Sequence, residues 1–182
     1  MTKVAKIFIA EGFEETEAVV PYDILLRGGV DVKFVSVSGA TCVAGAHGLR
    51  IEAQELLTAE AAEADLLMLP GGMPGTLNLG ASEALKDVLS KASESGKVVA
   101  AICAAPSVIG RMGLLRGRRA TCYPGFESEL AGAECTGESV VRDGKFITGV
   151  GPGASYEFGL ALLAELMGTE VASEVKSQMI MR

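Results

Sequence analysis

Apolar and polar positions along this chain fall into blocks whose repeat switches between about two and 3.6 residues, the periods of strand and helix. Lys3 to Ala10, KVAKIFIA, is a short apolar run rich in β-branched residues and predicts a strand. EETEAVVPYDILLRGG follows, with Ala18, Val19, Tyr22, Leu25 and Leu26 at helical spacing; Gly28 and Gly29 end the helix, and Pro21 predicts a kink or a late start. Val30 to Val37 alternates and predicts a second strand. Residues 39 to 57 are rich in Gly and Ala and are consistent with a hairpin, and LTAEAAEA predicts a short helix. Asp65 to Pro70 is an apolar strand that runs into GGMPGTLNLG, which reads as a loop. ASEALKDVLSKASESG is an amphipathic helix closed by Gly96, and Lys97 to Cys103 is a strand apolar on both faces. AAPSVIGRMG turns helical, mixed strands follow, and SYEFGLALLAELMG and TEVASEVKSQMIMR predict two final helices.

Strands separated by helices of this length imply right-handed crossovers and an α/β fold with a mostly parallel sheet covered on both faces. No linker or internal repeat interrupts the pattern, so residues 1–182 are expected to form one domain. In such sheets, sites lie beyond the C-terminal ends of the strands. Three of those ends carry suggestive residues: EGFEETE, PGGMPG and CAAP.

The net charge of −7 and the lack of any Lys/Arg run argue against nucleic acid and against an anionic membrane surface as partners. No stretch has the length of a membrane span, and the N-terminus lacks a signal-peptide pattern, so a cytoplasmic location is the expectation. The four cysteines, Cys42, Cys103, Cys122 and Cys135, form no CxxC pair, and His47 is the one histidine. Free thiols and the absence of any metal or cofactor follow as expectations. Cys42, Cys122 and Cys135 are read as small buried apolar residues.

Cys103 ends an apolar strand, and small residues then open a helix, an arrangement similar to a nucleophile elbow. Such a turn exposes the side chain and aims backbone N–H groups at a developing oxyanion, and a helix N-terminus beside sulfur favours the thiolate. A buried core cysteine fits the same local pattern. Gly71 and Gly72 allow close backbone approach and could supply the other half of an oxyanion site, although an ordinary strand-to-helix turn needs them too. Glu14 and Glu15 are explained by helix capping and solvation. Glu17 lies against apolar Ala18 and Val19, so half-burial would raise its pKa and fit it to carry a proton.

Taken together, EGFEETEAVVPYDILLRGGV, LMLPGGMPG, VVAAICAAP and GVGPGASYEFGLALLAELMG resemble the ThiJ/PfpI family, in the branch of the Parkinson disease protein deglycase and its small bacterial relatives. The resemblance runs from Lys3 to Lys176. It implies a flavodoxin-like three-layer sandwich of the class I glutamine amidotransferase type, and a homodimer. It further implies that Cys103 is the reactive, oxidisable cysteine and that Glu17 is the protonated glutamate bonded to it. Gly72 and Ala104 match positions whose amides line the oxyanion pocket, with Gly71 adjacent. Arg27 matches an arginine that reaches the neighbouring subunit's pocket; a solvated arginine near a helix end is the plainer reading. One departure matters: where that branch carries a histidine before proline, this chain has Tyr123 in ATCYPGF. His47 aligns where the branch carries an arginine, so it reaches the pocket from its loop or is plain surface.

The resemblance implies cysteine-dependent processing of reactive carbonyls without cofactor: glyoxalase III chemistry from methylglyoxal to lactate, or deglycation of a glycated substrate. A non-catalytic oxidative-stress sensor or chaperone working through oxidation of Cys103 uses the same residues. A cysteine peptidase or amidase is disfavoured by the missing histidine.

Overall fold

The computed structural model describes residues 2–181. In chain order its elements are β1 (Val4–Ile9), α1 (Glu15–Arg27), β2 (Asp31–Ser36), β3 (Cys42–Ala44), β4 (Arg50–Glu52), β5 (Glu55–Leu56), a 3-10 turn (Ala59–Glu63), β6 (Leu66–Leu69), α2 (Gly75–Ala81), α3 (Glu83–Glu94), β7 (Val98–Ile102) and α4 (Pro106–Arg111). They continue with β8 (Arg119–Ala120), a second 3-10 turn (Glu127–Glu129), β9 (Glu134–Cys135), β10 (Val140–Asp143), β11 (Phe146–Gly149), a third 3-10 turn (Pro152–Ala154), α5 (Ser155–Met167) and α6 (Thr169–Gln178).

Seven strands form one sheet in the order β10-β11-β7-β6-β1-β2-β5, parallel except for β10. β6 and β7 are buried along their whole length, as the apolar runs LLML and VVAAI require of central strands covered on both faces. Two apolar clusters fill the two faces. One joins Ile7, Ile9, Met68 and Ile102 to Ile24 of α1 and to Phe158 and Leu162 of α5. The other joins Phe8, Leu67, Leu69 and Val99 to Leu79 of α2, Leu85 and Leu89 of α3 and Ile109 of α4. The result is a three-layer α/β sandwich.

α1 passes through Pro21 without a break. Gly159 of α5 packs against that turn: a Cβ there would lie 2.7 Å from Ile24 Cδ1 and 3.2 Å from Pro21 Cα. Gly159 is buried and thus serves core packing between the two helices. Residues 42–52 do form the hairpin, β3 antiparallel to β4. Two differences from the sequence pattern stand out. The segment read as a loop after Pro70 contains α2, and the helix read from LTAEAAEA is a 3-10 turn.

The chain leaves β1 for β2 on one side and returns to β6 on the other. The strand order therefore reverses at β1/β6, so the C-terminal ends of β1, β6 and β7 lie where open α/β sheets place their sites.

Candidate active site

Cys103 directly follows β7 and takes φ +66°, rare for a side-chain-bearing residue. Both of its backbone groups are locked: its N–H donates to Gly149 O (2.9 Å), and its carbonyl accepts from Tyr123 N–H (2.8 Å). The end of β11 and the loop after β8 thus hold a conformation that costs on the order of 1 kcal/mol or more alone. The sulfur is half-buried, and the N–H groups of Ala104 and Gly72 lie close enough to favour its charged form.

Glu17 lies in the first turn of α1, which starts where β1 ends. It is fully buried rather than half-buried as the sequence suggested. Its Oε2 accepts the Gly71 N–H at 2.8 Å. Its Oε1 is buried with no partner of hydrogen-bond geometry among the described residues. Gly71 sits between the two functional side chains. A Cβ there would lie 2.8 Å from Cys103 Cβ, 2.8 Å from Glu17 Oε2 and 3.0 Å from the Ile102 carbonyl oxygen. Cys103 and Glu17 face each other across the bare Cα of that glycine. Gly72 is required twice, by φ +90° and by the backbone of Gly12, Phe13 and Glu14 pressing on it.

Burial raises the Glu17 carboxyl to about 7; the neighbouring Cys103 thiol and the hydrogen bond from Gly71 pull it down, and the Glu14 charge adds to the rise. Burial likewise pushes the Cys103 thiol up to about 12, with the Glu17 charge and hydrogen bond next, against the lowering pull of Ala104 and Gly72. This corrects the expectation that a helix N-terminus makes the thiolate the favoured form: α4 is short, and desolvation outweighs it. The two groups are coupled, and a proton on Glu17 removes the negative charge that opposes the thiolate. When one proton remains between them, the pair has two forms, thiol with carboxylate and thiolate with carboxylic acid.

The remaining residues singled out in the sequence divide. Ala104 and Gly72 border the Cys103 sulfur, and Gly71 donates its N–H to Glu17. Tyr123 is beside the elbow: its amide is bonded to Cys103, and its ring lies against Gly151 in a cleft of about 330 Å³ that also includes Ser139, Pro152 and Glu157. Arg27 is in the last turn of α1, ten residues along the chain and about 15 Å along the axis from Glu17, and pairs with Asp23 at 2.7 Å on the surface. It is no part of this chain's own pocket. Cys122 is buried as expected, but Cys42 and Cys135 are exposed.

His47 is exposed at the surface but paired. Its Nδ1 lies 2.7 Å from Glu15 Oε2 and 3.6 Å from Glu14 Oε2. The hairpin covers those two carboxylates, so solvation does not account for them. The hydrogen bond to Glu15 raises the His47 pKa, and the Glu14 charge adds to it. Glu15 is raised by its partial burial, yet the His47 hydrogen bond and its own backbone hold it below the usual carboxylate range. These three side chains are also of metal-ligating type and converge within 4.8 Å, but the ion pair already satisfies them. Sequence reading missed the contact because it joins a helix start to a loop 32 residues away.

Comparison with known proteins places this geometry in context. The DJ-1/PfpI family matches residues 3–165. Protein DJ-1 homolog B of Arabidopsis thaliana is 42% identical over all of this chain and 42% of its own length, and homolog A is 40% identical over all of this chain and 47% of its own length. The chain thus spans about half the length of these plant relatives. Protein dj-1beta of Drosophila melanogaster is 35% identical, with 96% of this chain and 95% of that protein covered. A deglycase of Pyrococcus abyssi is 34% identical over 82% of this chain and 91% of its own. Among solved structures, the C103A mutant of a DJ-1 superfamily protein from Salmonella typhimurium superposes with TM-score 0.93 at 33% identity, covering 99% of this chain and 98% of that one. Oxidised DJ-1 of Toxoplasma gondii gives 0.91 at 34% identity, with the same coverage. Among the described residues, no helix is long and apolar enough to cross a membrane.

Proposed function

The chain belongs to the DJ-1/PfpI family, and from that membership and the geometry of the elbow we propose that it is a cofactor-independent enzyme of stress protection that processes small reactive carbonyls at Cys103. The observation that carries this reading is the fully buried Glu17 carboxyl facing Cys103 across Gly71, a proton carrier beside a nucleophile. The deglycase among the relatives supports the substrate class.

In this reading the Cys103 proton passes to Glu17 as sulfur adds to the aldehyde carbon of methylglyoxal. A C–S bond forms, the C=O π bond becomes an alkoxide, and the Gly72 and Ala104 amides stabilise that oxygen. Glu17 returns that proton to the alkoxide, giving a neutral hemithioacetal, and as carboxylate takes the proton from the former aldehyde carbon. The resulting enediolate is protonated by Glu17 at the former ketone carbon while the hydroxyl proton on the sulfur-bearing carbon passes to the neighbouring oxygen, leaving a lactoyl thioester. Water hydrolyses the thioester, releasing lactate and the thiol. One carbon is oxidised and its neighbour reduced, so no outside redox partner is needed. Tyr123 stands where a histidine would serve a peptidase, and the scheme calls for no imidazole.

The test is methylglyoxal loss by wild type, Cys103→Ser and Glu17→Gln in chelator-treated, thiol-free buffer. Both variants are expected to lose at least a hundredfold in rate. Unchanged turnover in Cys103→Ser refutes the proposal.

One observation favours a second reading, a redox sensor. The unpartnered Glu17 Oε1 could donate its proton to an oxygen added to sulfur, and a structural relative is an oxidised form. Both readings are compatible with a cytoplasmic homodimer in which Arg27, exposed at the end of α1, meets a second copy. Sedimentation of wild type against Arg27→Glu tests that placement.

A further inference from the structure

The Cys103–Glu17 pair is supported from outside by the hairpin. Loop 10–14, which leads from β1 into α1, is laced to it: Gly12 N–H donates to Ala44 O and Ala46 N–H to Phe13 O, both at 2.8 Å. Ala44 N–H also reaches Glu11 Oε2 at 3.3 Å. Beyond this ladder, the Glu15 carboxylate is gripped twice by one residue, through His47 N–H to Oε1 at 2.6 Å and His47 Nδ1 to Oε2 at 2.7 Å. Gly45 leaves the space that the carboxylate fills, because a Cβ on it would overlap Glu15 Oε1. The Glu15 side chain is 12% exposed and the His47 side chain 74%, so the imidazole acts as an outer bracket on a carboxylate already seated.

The start of α1 needs such a bracket. Its own N-cap is weak: Glu14 reaches the Thr16 amide at 3.4 Å, long for a capping bond. Gly71 joins the same turn to the elbow, accepting from Glu14 N–H at 2.9 Å and donating to Glu17 Oε2 at 2.8 Å. Each link between His47 and Cys103 is thus a named contact: His47 to Glu15, the first turn of α1 to Glu17, and Glu17 through Gly71 to the Cβ of Cys103. The titratable groups facing the imidazole among the described residues are Glu14 and Glu15; those facing Glu17 are Glu14 and Cys103.

We propose that His47 is a positioning residue: by clamping Glu15 it fixes the first turn of α1 and holds the buried Glu17 carboxyl in register with Cys103. The proposal rests on the reading of Cys103 and Glu17 as one reactive pair, whichever function that pair serves. It assigns the lone histidine a role outside proton transfer.

The test is site-resolved alkylation of Cys103 by iodoacetamide, followed by mass spectrometry from about pH 5 to 10, a range that brackets the titration of Glu17 near 7. Wild type, His47→Ala, His47→Gln and Glu17→Gln are compared, with thermal midpoints measured alongside. Glu17→Gln sets the direction in which the profile moves when the pair is broken. His47→Ala is expected to move it the same way, changing the neutral-pH rate roughly three- to tenfold, the size of one hydrogen bond. His47→Gln keeps a side-chain donor toward Glu15 and is expected to return the profile to wild type. A His47→Ala profile that superposes on wild type while Glu17→Gln shifts overturns the proposal alone. A shift that His47→Gln fails to correct assigns the effect to imidazole charge and also overturns it. An unshifted Glu17→Gln profile sinks the paired reading and the proposal together.

Discussion

Replacing Gly71 by alanine puts a methyl group into the gap between the nucleophile and its proton carrier. Its Cβ would sit 2.8 Å from Cys103 Cβ and from Glu17 Oε2, and 3.0 Å from the Ile102 carbonyl oxygen. Two of these three neighbours cannot retreat easily: Ile102 is backbone of a central strand, and Cys103 is bonded at both its N–H and its carbonyl. The carboxyl of Glu17 is the part that moves. Overpacking of this kind costs about 1–3 kcal/mol. Lengthening the Gly71–Glu17 hydrogen bond, at present 2.8 Å, adds to that cost. Loss of glycine's freedom in the unfolded chain offsets about 0.4–1 kcal/mol. A net loss of about 2 kcal/mol is expected in urea denaturation, with unchanged m, together with a moved pH profile of Cys103 alkylation. Gly153→Ala is the control, since a Cβ there meets no heavy atom within 4 Å and the residue has ordinary φ. It should match wild type in both assays. A Gly71→Ala protein within about 0.5 kcal/mol of wild type and with unaltered Cys103 reactivity would refute the geometry of the pair.

Two further outcomes follow from the structure. Glu17 has a folded-state pKa raised from 4.5 to about 7, so the folded protein holds a proton that the unfolded chain has released. Its contribution is fully present below pH 4.5 and fades as pH rises through 7, by at most about 3 kcal/mol. Denaturation across that window should show wild type losing stability relative to Glu17→Gln as pH rises, and parallel curves would contradict the assignment. Gly159→Val drives side-chain atoms into Ile24 and the Pro21 backbone. It should lower stability by about 1–3 kcal/mol in thermal melts, whereas a surface role for Gly159 predicts no change.

The central strands were legible because burial on both faces demands unbroken apolar runs, and LLML and VVAAI supply them. α2 was not, because GTLNLGA carries two glycines and an asparagine, poor helix formers. Tertiary contacts hold it instead: Thr76 N–H bonds to Gly72 O, and the Asn78 side chain to the Glu11 carbonyl. β5, β8 and β9 are two residues each, too short to show a period. Cys103, Gly71, Gly72 and Ala104 were singled out because they sit within three residues of a strand end, and Glu17 because it stands where α1 opens against apolar Ala18 and Val19. The φ of Cys103 and the full burial of Glu17 depend on distant strands and were not visible. The seating of Glu14 and Glu15 under the hairpin was hidden for the same reason, since it needs residues 42–52 to fold back over loop 10–14.

The measurement that bears most directly on the account is the amount of lactate formed per protein molecule from excess methylglyoxal at neutral pH, without metal or added thiol. The account predicts many equivalents from wild type, none above buffer from Cys103→Ser, and no net loss of the wild-type thiol. Lactate that stops at one equivalent or less, with Cys103 consumed, would contradict catalysis and leave Cys103 a stoichiometric target of aldehyde or oxidant.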